Sequence, residues 1–158
     1  GEELRAAKLY LGIEKIRFRD RLRVQIDVPE VLQAVRVPSM TIQPLVENAV
    51  KHGVGRTDTP CTVTVSAAMS NGCLHLRVTD TGPGFDTTNP DPILARGTGL
   101  ANVRGRLRIL FGREATFSIH PQGIQLTMPL NTGDGAESSS SEWRESDPRS
   151  KRPADIPD

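Results

Sequence analysis

The stretch Pro44-Leu-Val-Glu-Asn-Ala-Val-Lys-His-Gly53 is followed along the chain by two glycine-rich motifs, Asp80-Thr-Gly-Pro-Gly84 and Gly97-Thr-Gly-Leu100. Each motif alone is a weak sign of any function. Taken in this order, with a strand pattern before the second motif and a helix pattern after the third, they describe a nucleotide pocket. One cleft would then receive a carboxylate, an amide able to bind Mg²⁺ and two flexible backbone loops.

The first motif lies in a predicted amphipathic helix from Thr41 to His52. Ser39 or Thr41 is expected to cap this helix, Pro44 is tolerated in its first turn, and Gly53 ends it. One arc of the helix is apolar and the other is polar, which predicts that the helix lies on a hydrophobic core.

The polar arc of this helix consists of Glu47, Asn48, Lys51 and His52. The last three stand at positions i, i+3 and i+4, so an amide, an ammonium group and an imidazole lie side by side. Asn is a poor helix former, so its place in mid-helix costs roughly a few tenths of a kcal/mol and favours a functional role. From this helix alone, a solvated polar face remains the alternative.

Asp80 stands at the end of a predicted strand, directly before Gly82 and Gly84. A carboxylate in this place can accept a hydrogen bond from an exocyclic amine, and the glycines allow the backbone to approach a flat ring. A plain Asp-Gly turn is the alternative. An EF-hand is excluded, because Gly82 and Gly84 occupy positions that need oxygen-bearing side chains.

The third motif precedes a predicted helix from Leu100 to Phe111. Free backbone N–H groups and the helix dipole make such an end suitable for phosphates. The motif is not a Rossmann fingerprint, since Asn102 stands where the third glycine belongs and a loop precedes it. A P-loop is absent as well, because no glycine is followed by Lys and then Ser or Thr.

The bulk properties predict one ordinary soluble domain. The chain has 158 residues and 36% hydrophobic content, which suits a single core, and Asn131–Asp158 is so polar that we expect a disordered tail. A net charge of +1 gives no reason to expect nucleic acid or membrane as a partner. Cys61 and Cys73 lack metal-site spacing, which favours a reduced cytosolic setting. No signal peptide is visible, and no apolar run approaches the roughly 20 residues that span a bilayer.

Alternation and helical periodicity predict the order of the elements. The helices are Glu3–Arg19, Thr41–His52 and Leu100–Phe111, and the strands are Leu22–Val28, Thr62–Ala68, the run through Leu74, Leu76 and Val78, Thr116–His120 and Ile124–Met128. Val35–Val37 is predicted as a short strand or an extended run, and Phe85–Arg96 as a long loop. These elements indicate a sheet with one face covered by helices. Because a helical pattern is already running at Gly1, we expect a fragment of a longer protein.

The three motifs resemble the N box and the two glycine boxes of the GHKL ATP-binding superfamily, whose members include the ATPase modules of gyrase, chaperones, MutL and histidine kinases. The flanking sequences Tyr10–Leu22, Val37–Met40 and Asn102–Leu107 look like those of LytS-type sensor histidine kinases of bacterial two-component systems. The resemblance covers about residues 3–130.

This resemblance implies an α+β two-layer sandwich of the Bergerat type, with a mixed, mostly antiparallel sheet covered on one face by about three helices. It also divides the chain into three parts. Residues 1–20 would be a helical remnant leading from the dimerisation and phosphoacceptor region, 21–130 the catalytic ATP-binding domain, and 131–158 the polar tail.

The resemblance implies a role for each matching residue of the first helix motif. Asn48 would ligate a Mg²⁺ ion that bridges the ATP phosphates, and Lys51 would contact phosphate. His52 stands where the family places a polar residue that assists phosphate binding or catalysis. Glu47 is adjacent to Asn48 and is a candidate for assisting a histidine nucleophile, with a solvated glutamate as the alternative.

The glycine motifs would form the rest of the ATP site. Asp80 would bind the adenine amino group, with Gly82 and Gly84 shaping that wall. Phe85–Arg96 would be a mobile ATP lid that excludes water when it closes. Its hinge and phosphate contacts would come from the second glycine box, which consists of Gly97, Thr98, Gly99 and Leu100.

Two departures from the superfamily pattern matter. In the gyrase, chaperone and MutL branches a water-activating glutamate lies four residues before the Mg²⁺ asparagine, and here that position is Pro44. Efficient ATP hydrolysis is therefore not expected, which favours the kinase branch. Pro121-Gln122-Gly123 replaces the usual Gly-Thr before the last strand, which puts one water-mediated adenine contact in doubt.

None of the three histidines, His52, His75 and His120, resembles the phosphoacceptor segment of the family. The resemblance therefore implies that the γ-phosphoryl group passes to a histidine on an upstream helix of the same kinase, in cis or in trans, and that this chain cannot autophosphorylate alone. A response regulator would act downstream. The parent would be a homodimer anchored in the bacterial inner membrane, with this domain in the cytoplasm and without nucleic-acid or membrane contact. An ATP-binding signalling module or pseudokinase without transfer activity is the alternative.

Overall fold

The helices and strands are described here from a computed structural model of the chain, for residues 1–88, 94 and 98–130. The predicted tail at 131–158 and most of the predicted lid lie outside the described residues. Leu94, which is described, is helical and buried in the core, whereas the sequence predicts a loop there.

Apart from the helical position of Leu94, four α-helices are described: α1 (Glu2–Phe18), α2 (Glu30–Gln33), α3 (Ile42–His52) and α4 (Thr98–Phe111). Single 3-10 turns follow α1 at Arg19–Arg21 and α3 at Val54–Arg56. The three long helices occur where the periodicity predicts them, and α2 was not predicted. Within the described residues, none of the helices has both the length and the apolar character needed to cross a membrane.

The prediction of a side-chain cap for α3 from Ser39 or Thr41 is wrong. The side chain of the N-cap residue Thr41 makes no hydrogen bond to the helix, because its hydroxyl donates instead to the carbonyl oxygen of Pro38, 2.6 Å away. The carbonyl of Ser39 accepts a hydrogen bond from Arg106 of α4. The run Val35–Val37, for which a short strand was one of two predictions, has no strand assigned.

Five strands form one mixed sheet in the order β1-β2-β3-β5-β4. They are β1 (Leu22–Asp27), β2 (Cys61–Ser70), β3 (Cys73–Asp80), β4 (Thr116–His120) and β5 (Gly123–Pro129). Among the described strands only the β1–β2 pair is parallel, and α2 and α3 form the crossover that a parallel pair requires. The predicted mixed, mostly antiparallel sheet is confirmed.

The two faces of the sheet differ in polarity. Val65, Val78 and Ile124 are register partners across three strands, and all are buried under the helices. The neighbouring partners Arg77 and Gln125 point to the other face, which is lined by polar side chains. Alternation along each strand therefore separates a core face from a polar face, and the predicted two-layer α+β sandwich is confirmed.

Helix α1 belongs to the same hydrophobic core as the rest of the fold. Its Leu4, Ala7 and Leu11 are buried in one cluster with residues of α3 and the sheet. The opposite side of α1 exposes Leu9, Ile13 and Ile16. The division of the chain at residue 20 remains a prediction, since this helix packs on α3.

Candidate functional site

The Asp80 carboxylate is a buried charge at the end of β3. The residue is only 5% exposed, and its Oδ1 accepts a hydrogen bond of 2.9 Å from the backbone N–H of Gly82. The backbone N–H of Asp80 donates to the carbonyl of Gln122 at 3.0 Å, which fixes the strand end against the β4–β5 turn. Among the described residues no protein group donates to Oδ2, so one carboxylate oxygen is left for a ligand.

Burial raises the pKa of Asp80 above its ordinary value of 3.8, and the hydrogen bond from Gly82 opposes this rise. Desolvation disfavours the charged carboxylate, whereas an N–H donor favours it. A buried carboxylate with one free acceptor oxygen is suited to a neutral hydrogen-bond donor such as an amino group.

Two glycines allow α3 and the first glycine box to meet at Asp80. A Cβ on Gly53 would lie 2.5 Å from Asp80 Oδ1 and 2.5 Å from the carbonyl oxygen of Ala49. A Cβ on Gly82 would lie 2.5 Å from the Cα of Gly53. From the sequence Gly53 was identified only as a helix stop, and nothing local to that residue indicates its second role beside a carboxylate on another element.

The first glycine box is held against the β4–β5 turn. Gly84 has a φ of +82°, and a Cβ there would lie 2.6 Å from the carbonyl oxygen of Pro121. The N–H of Phe85 donates to the same carbonyl at 2.7 Å. Glycine at position 84 is therefore required both by its backbone conformation and by the close approach of Pro121.

Helix α3, whose C-terminal end lies beside this carboxylate, carries the predicted polar side chains. Asn48 and His52 are half-buried, while Glu47 and Lys51 are exposed. Burial lowers the pKa of His52 below 6.5, and the positive charges of Arg56 and Lys51 lower it further. The imidazole is therefore neutral at pH 7, next to two cations. Arg56 was not among the residues selected from the sequence, because it lies in the separate 3-10 turn after α3.

The predicted helper Glu47 has a partner on its own helix. Its Oε1 accepts a hydrogen bond of 2.9 Å from the side-chain amide of Gln43, one turn earlier. Its charge also raises the pKa of Tyr10 on α1, after the larger effects of burial and of Glu14. Glu47 therefore lies within electrostatic reach of α1, and its assistance to a histidine nucleophile remains a prediction.

Helix α4 begins against the N-terminal half of α3. A Cβ on Gly99 would lie 3.2 Å from the Cβ of Pro44, and Pro44 is one turn before Asn48 on the same side of α3. The start of α4 thus lies against α3 one turn before Asn48. Leu100 is buried in the core, so only its backbone is available to a ligand. Gly97 and the Thr98 side chain lie outside the described residues.

Asp80 thus meets the C-terminal end of α3, and α4 begins beside the N-terminal half of α3. The family profile of the histidine kinase-, DNA gyrase B- and HSP90-like ATPases matches residues 36–134. The chain belongs to this family. The predicted membership of the GHKL superfamily is confirmed, and α1 lies before the matched region.

Similar proteins include several sensor histidine kinases. The chain is 32% identical to sensor histidine kinase YesM of Bacillus subtilis over 77% of this chain, and 37% identical to sensor histidine kinase YpdA of Escherichia coli over 70%. It is 29% identical to sensor protein LytS of Bacillus cereus over 86%, in agreement with the predicted LytS-type resemblance. The chain spans only 21%, 20% and 25% of the lengths of these three proteins.

Solved structures of histidine kinases have the same fold. The catalytic domain of histidine kinase ThkA, in a nucleotide-free form, aligns with a TM-score of 0.62 over 82% of this chain and 92% of that domain, at 13% identity. Mycobacterial sensor histidine kinase MprB aligns with a TM-score of 0.56 over 80% of this chain and 93% of that chain, at 18% identity. At these identities the similarity establishes the fold alone.

Proposed function

We propose that this chain binds Mg-ATP between α3, the end of β3 and the start of α4. In the intact protein it would present the γ-phosphoryl group to a histidine on an upstream helix, as the catalytic domain of a sensor histidine kinase. The observation that carries the proposal is the Asp80 carboxylate, which is buried and bonded to Gly82 through only one of its two oxygens. Membership of the ATPase family and similarity to sensor histidine kinases support it.

Adenine would be recognised at Asp80. Oδ2 would accept a hydrogen bond from the exocyclic amino group, and the backbone at Gly82 and Gly84 would lie along the ring. The loop carrying these glycines is fixed to the β4–β5 turn by the Phe85 hydrogen bond to Pro121. This hydrogen bond would limit the ordering that the loop needs on binding.

The residues around Asn48 fit a magnesium-bound triphosphate. Mg²⁺ takes oxygen ligands and is commonly bound by one or two protein groups together with substrate phosphates, and the half-buried Asn48 carries one amide oxygen. Bound Mg²⁺ would neutralise phosphate charge. Lys51 is exposed for phosphate contact and Arg56 adds charge nearby, while the N–H groups that open α4 would serve as anion donors.

Transfer to histidine is favoured over hydrolysis because Pro44 occupies the position of the water-activating glutamate. The proline side chain has no titratable group, so it offers no base at that point. Pro44 is also buried and contacts the start of α4. In the transfer, the bond between the γ-phosphorus and its bridging oxygen breaks, and ADP leaves with the electron pair. A histidine nitrogen forms the new P–N bond and loses its proton. Glu47 and the neutral His52 are the candidates for assisting this step.

The acceptor would come from outside this chain. His52 lies in the proposed site, and His75 is bonded to Ser70 at 2.8 Å and to Thr127 at 3.1 Å on the polar sheet face. His120 ends β4. The partners of the intact protein would therefore be its own phosphoacceptor helix, a response regulator and a second subunit. Anchorage of that parent in the inner membrane, with this domain in the cytoplasm, belongs to the same proposal.

Calorimetric titration with ATP tests the binding half of the proposal. We expect binding that tightens when Mg²⁺ replaces EDTA. Asn48→Ala should remove most of that Mg²⁺ enhancement while retaining binding in EDTA, because the amide oxygen would contact the ion rather than the base. Absence of ATP binding by the wild-type chain would contradict the proposal.

A phosphotransfer assay in trans tests the catalytic half. The purified chain and Mg-ATP are mixed with the upstream acceptor helices of its parent, and acid-labile phosphohistidine is measured. We expect phosphohistidine with the wild-type chain and, at an ATP concentration that half-saturates it, far less with Asp80→Asn. ATP binding without any transfer would instead support the signalling module or pseudokinase alternative.

A further inference from the structure

The N-terminal end of α3 is bonded by a carboxylate from a different helix. Glu3, in the first turn of α1, accepts three backbone hydrogen bonds from the turn that leads into α3. Its Oε1 accepts from Met40 N–H at 2.7 Å, and its Oε2 accepts from Thr41 N–H at 2.9 Å and from Ile42 N–H at 3.0 Å. These bonds join residues 37 to 39 positions apart in the chain.

The Glu3 carboxylate caps the N-terminal end of α3 in place of an N-cap side chain. The first N–H groups of a helix lack partners within the helix, and an anion at that end also interacts favourably with the helix dipole. Thr41 does not cap α3, because its hydroxyl donates to Pro38. The first turn of α3 is therefore stabilised by α1 and not by a side chain of its own cap residue.

The same turn is also bonded from α4. Arg106 of α4 donates to the carbonyl oxygen of Ser39, directly before Met40. In the segment Ser39–Ile42, three backbone N–H groups thus donate to Glu3 of α1, and one carbonyl accepts from Arg106 of α4. The three long helices are joined by hydrogen bonds at the start of the helix that carries Asn48.

We propose that Glu3 is a positioning residue of the nucleotide site. It would set the start of α3 so that Asn48, which follows Ile42 by about 9 Å along the helix axis, is placed for Mg²⁺ and phosphate. A displacement of α1 would move the Glu3 carboxylate and, with it, the start of α3. Helix α1 would thus affect the site although it lies outside the family match that begins at residue 36. This inference rests on the proposed ATP binding.

The test compares Glu3→Ala and Glu3→Gln with the control Glu2→Ala. Glu2 is an exposed carboxylate one residue earlier, with no hydrogen bond to its side chain among the described residues. ATP affinity is measured for each variant in Mg²⁺ and in EDTA. The ratio of the two affinities reports the Mg²⁺ contact that depends on α3, whereas adenine binding at Asp80 contributes to both conditions.

We expect Glu3→Ala to weaken ATP binding in Mg²⁺ by roughly three- to ten-fold, since losing a helix cap lowers the fraction of competent sites. Binding in EDTA should change much less, so the ratio falls. Glu3→Gln keeps one acceptor oxygen and should lie between Glu3→Ala and wild type, and Glu2→Ala should match wild type. Equal weakening in both conditions would show a merely structural role and overturn the inference.

Hydrogen exchange provides a second measurement that is independent of ATP. The amides of Met40, Thr41 and Ile42 should exchange faster in Glu3→Ala, while amides in β3 keep their protection. Unchanged exchange at these three amides would overturn the inference even if affinity falls. If wild type binds no ATP in either condition, the proposed function itself is wrong. If wild type binds and Glu3→Ala binds equally well, only the role of Glu3 is wrong.

Discussion

At the scale of single residues, the candidate site depends on a charge buried at a thermodynamic cost. Burial raises the pKa of Asp80 in the folded chain above that of the unfolded chain. Between these two pKa values the folded state binds more protons, so the contribution of this group to the free energy of unfolding falls as the pH rises. Above both values the cost is constant. A carboxylate kept at such a cost is a candidate for function rather than for stability.

We expect Asp80→Asn to stabilise the fold and weaken ATP binding. Asn keeps an acceptor for Gly82 N–H without a charge to desolvate, so unfolding at pH 7 should cost on the order of 1 kcal/mol more. Its side-chain NH₂ would replace Oδ2 and face the adenine amine donor to donor, which should weaken ATP binding roughly 100-fold. Urea unfolding and calorimetry measure the two effects.

The pH dependence and a control variant make this prediction specific. The stability gain of Asp80→Asn should disappear as the pH falls below 3.8, where the wild-type carboxyl is protonated in both the folded and the unfolded chain. Asp27→Asn, at an exposed position on β1, should change neither property appreciably. Wild-type ATP affinity in Asp80→Asn would remove Asp80 from adenine recognition.

At the scale of elements, the close approach of α3 and α4 brings the two proposed phosphate-binding regions together. The contact is between Pro44 on α3 and Gly99 on α4, where an added Cβ would lie 3.2 Å from the proline Cβ. Further along α4, a Cβ on Gly105 would meet nothing within 4 Å. The same helix therefore carries one glycine that is needed for contact with α3 and one that is not.

The matched pair Gly99→Ala and Gly105→Ala tests this contact. Gly105→Ala should stabilise the fold by about 0.5–1 kcal/mol through helix propensity and leave ATP affinity unchanged. Gly99→Ala must displace Pro44 by a few tenths of an ångström, so it should gain less stability and bind ATP roughly five-fold more weakly. Thermal unfolding and calorimetry provide both numbers. Equal behaviour of the two variants would argue against the contact.

At the scale of the whole molecule, α1 and the sheet share one core although α1 lies outside the family match. Leu11 is 1% exposed within this core, whereas Leu9 on the same helix is 66% exposed. In the described part of the chain, no helix covers the polar face of the sheet. We therefore expect α1 and the sheet to unfold together as one cooperative unit.

Replacing these two leucines tests whether α1 is part of that unit. Leu11→Ala should lower the free energy of unfolding by about 2–4 kcal/mol, because it leaves a cavity among buried side chains. Leu9→Ala removes the same atoms from an exposed position and should change stability by less than about 0.5 kcal/mol. Denaturant unfolding followed by circular dichroism measures both. A small effect of Leu11→Ala would mean that α1 is dispensable for the core.

Errors in the sequence-based prediction occur where local pattern carries little information. The helix α2 has only four residues, too few to show a periodicity, and Val35–Val37 alternates like a strand but pairs with none of the described strands. The expected caps Ser39 and Thr41 are suitable residue types, yet the Thr41 hydroxyl bonds Pro38 and the Glu3 carboxylate accepts from the first N–H groups instead. In each case the contacts that the segment makes, or lacks, with distant parts of the fold outweighed a local preference.

The sequence by itself determined the three long helices, the five strands and the chemical groups of the candidate site. Periodicity and motif order are properties of neighbouring residues, so they can be read without coordinates. Only the tertiary structure decided that Gly53 borders Asp80, that Pro44 meets Gly99 and that Glu3 bonds the start of α3. These contacts join residues far apart in the chain, and their geometry follows from how helices pack on a sheet, which no local pattern contains.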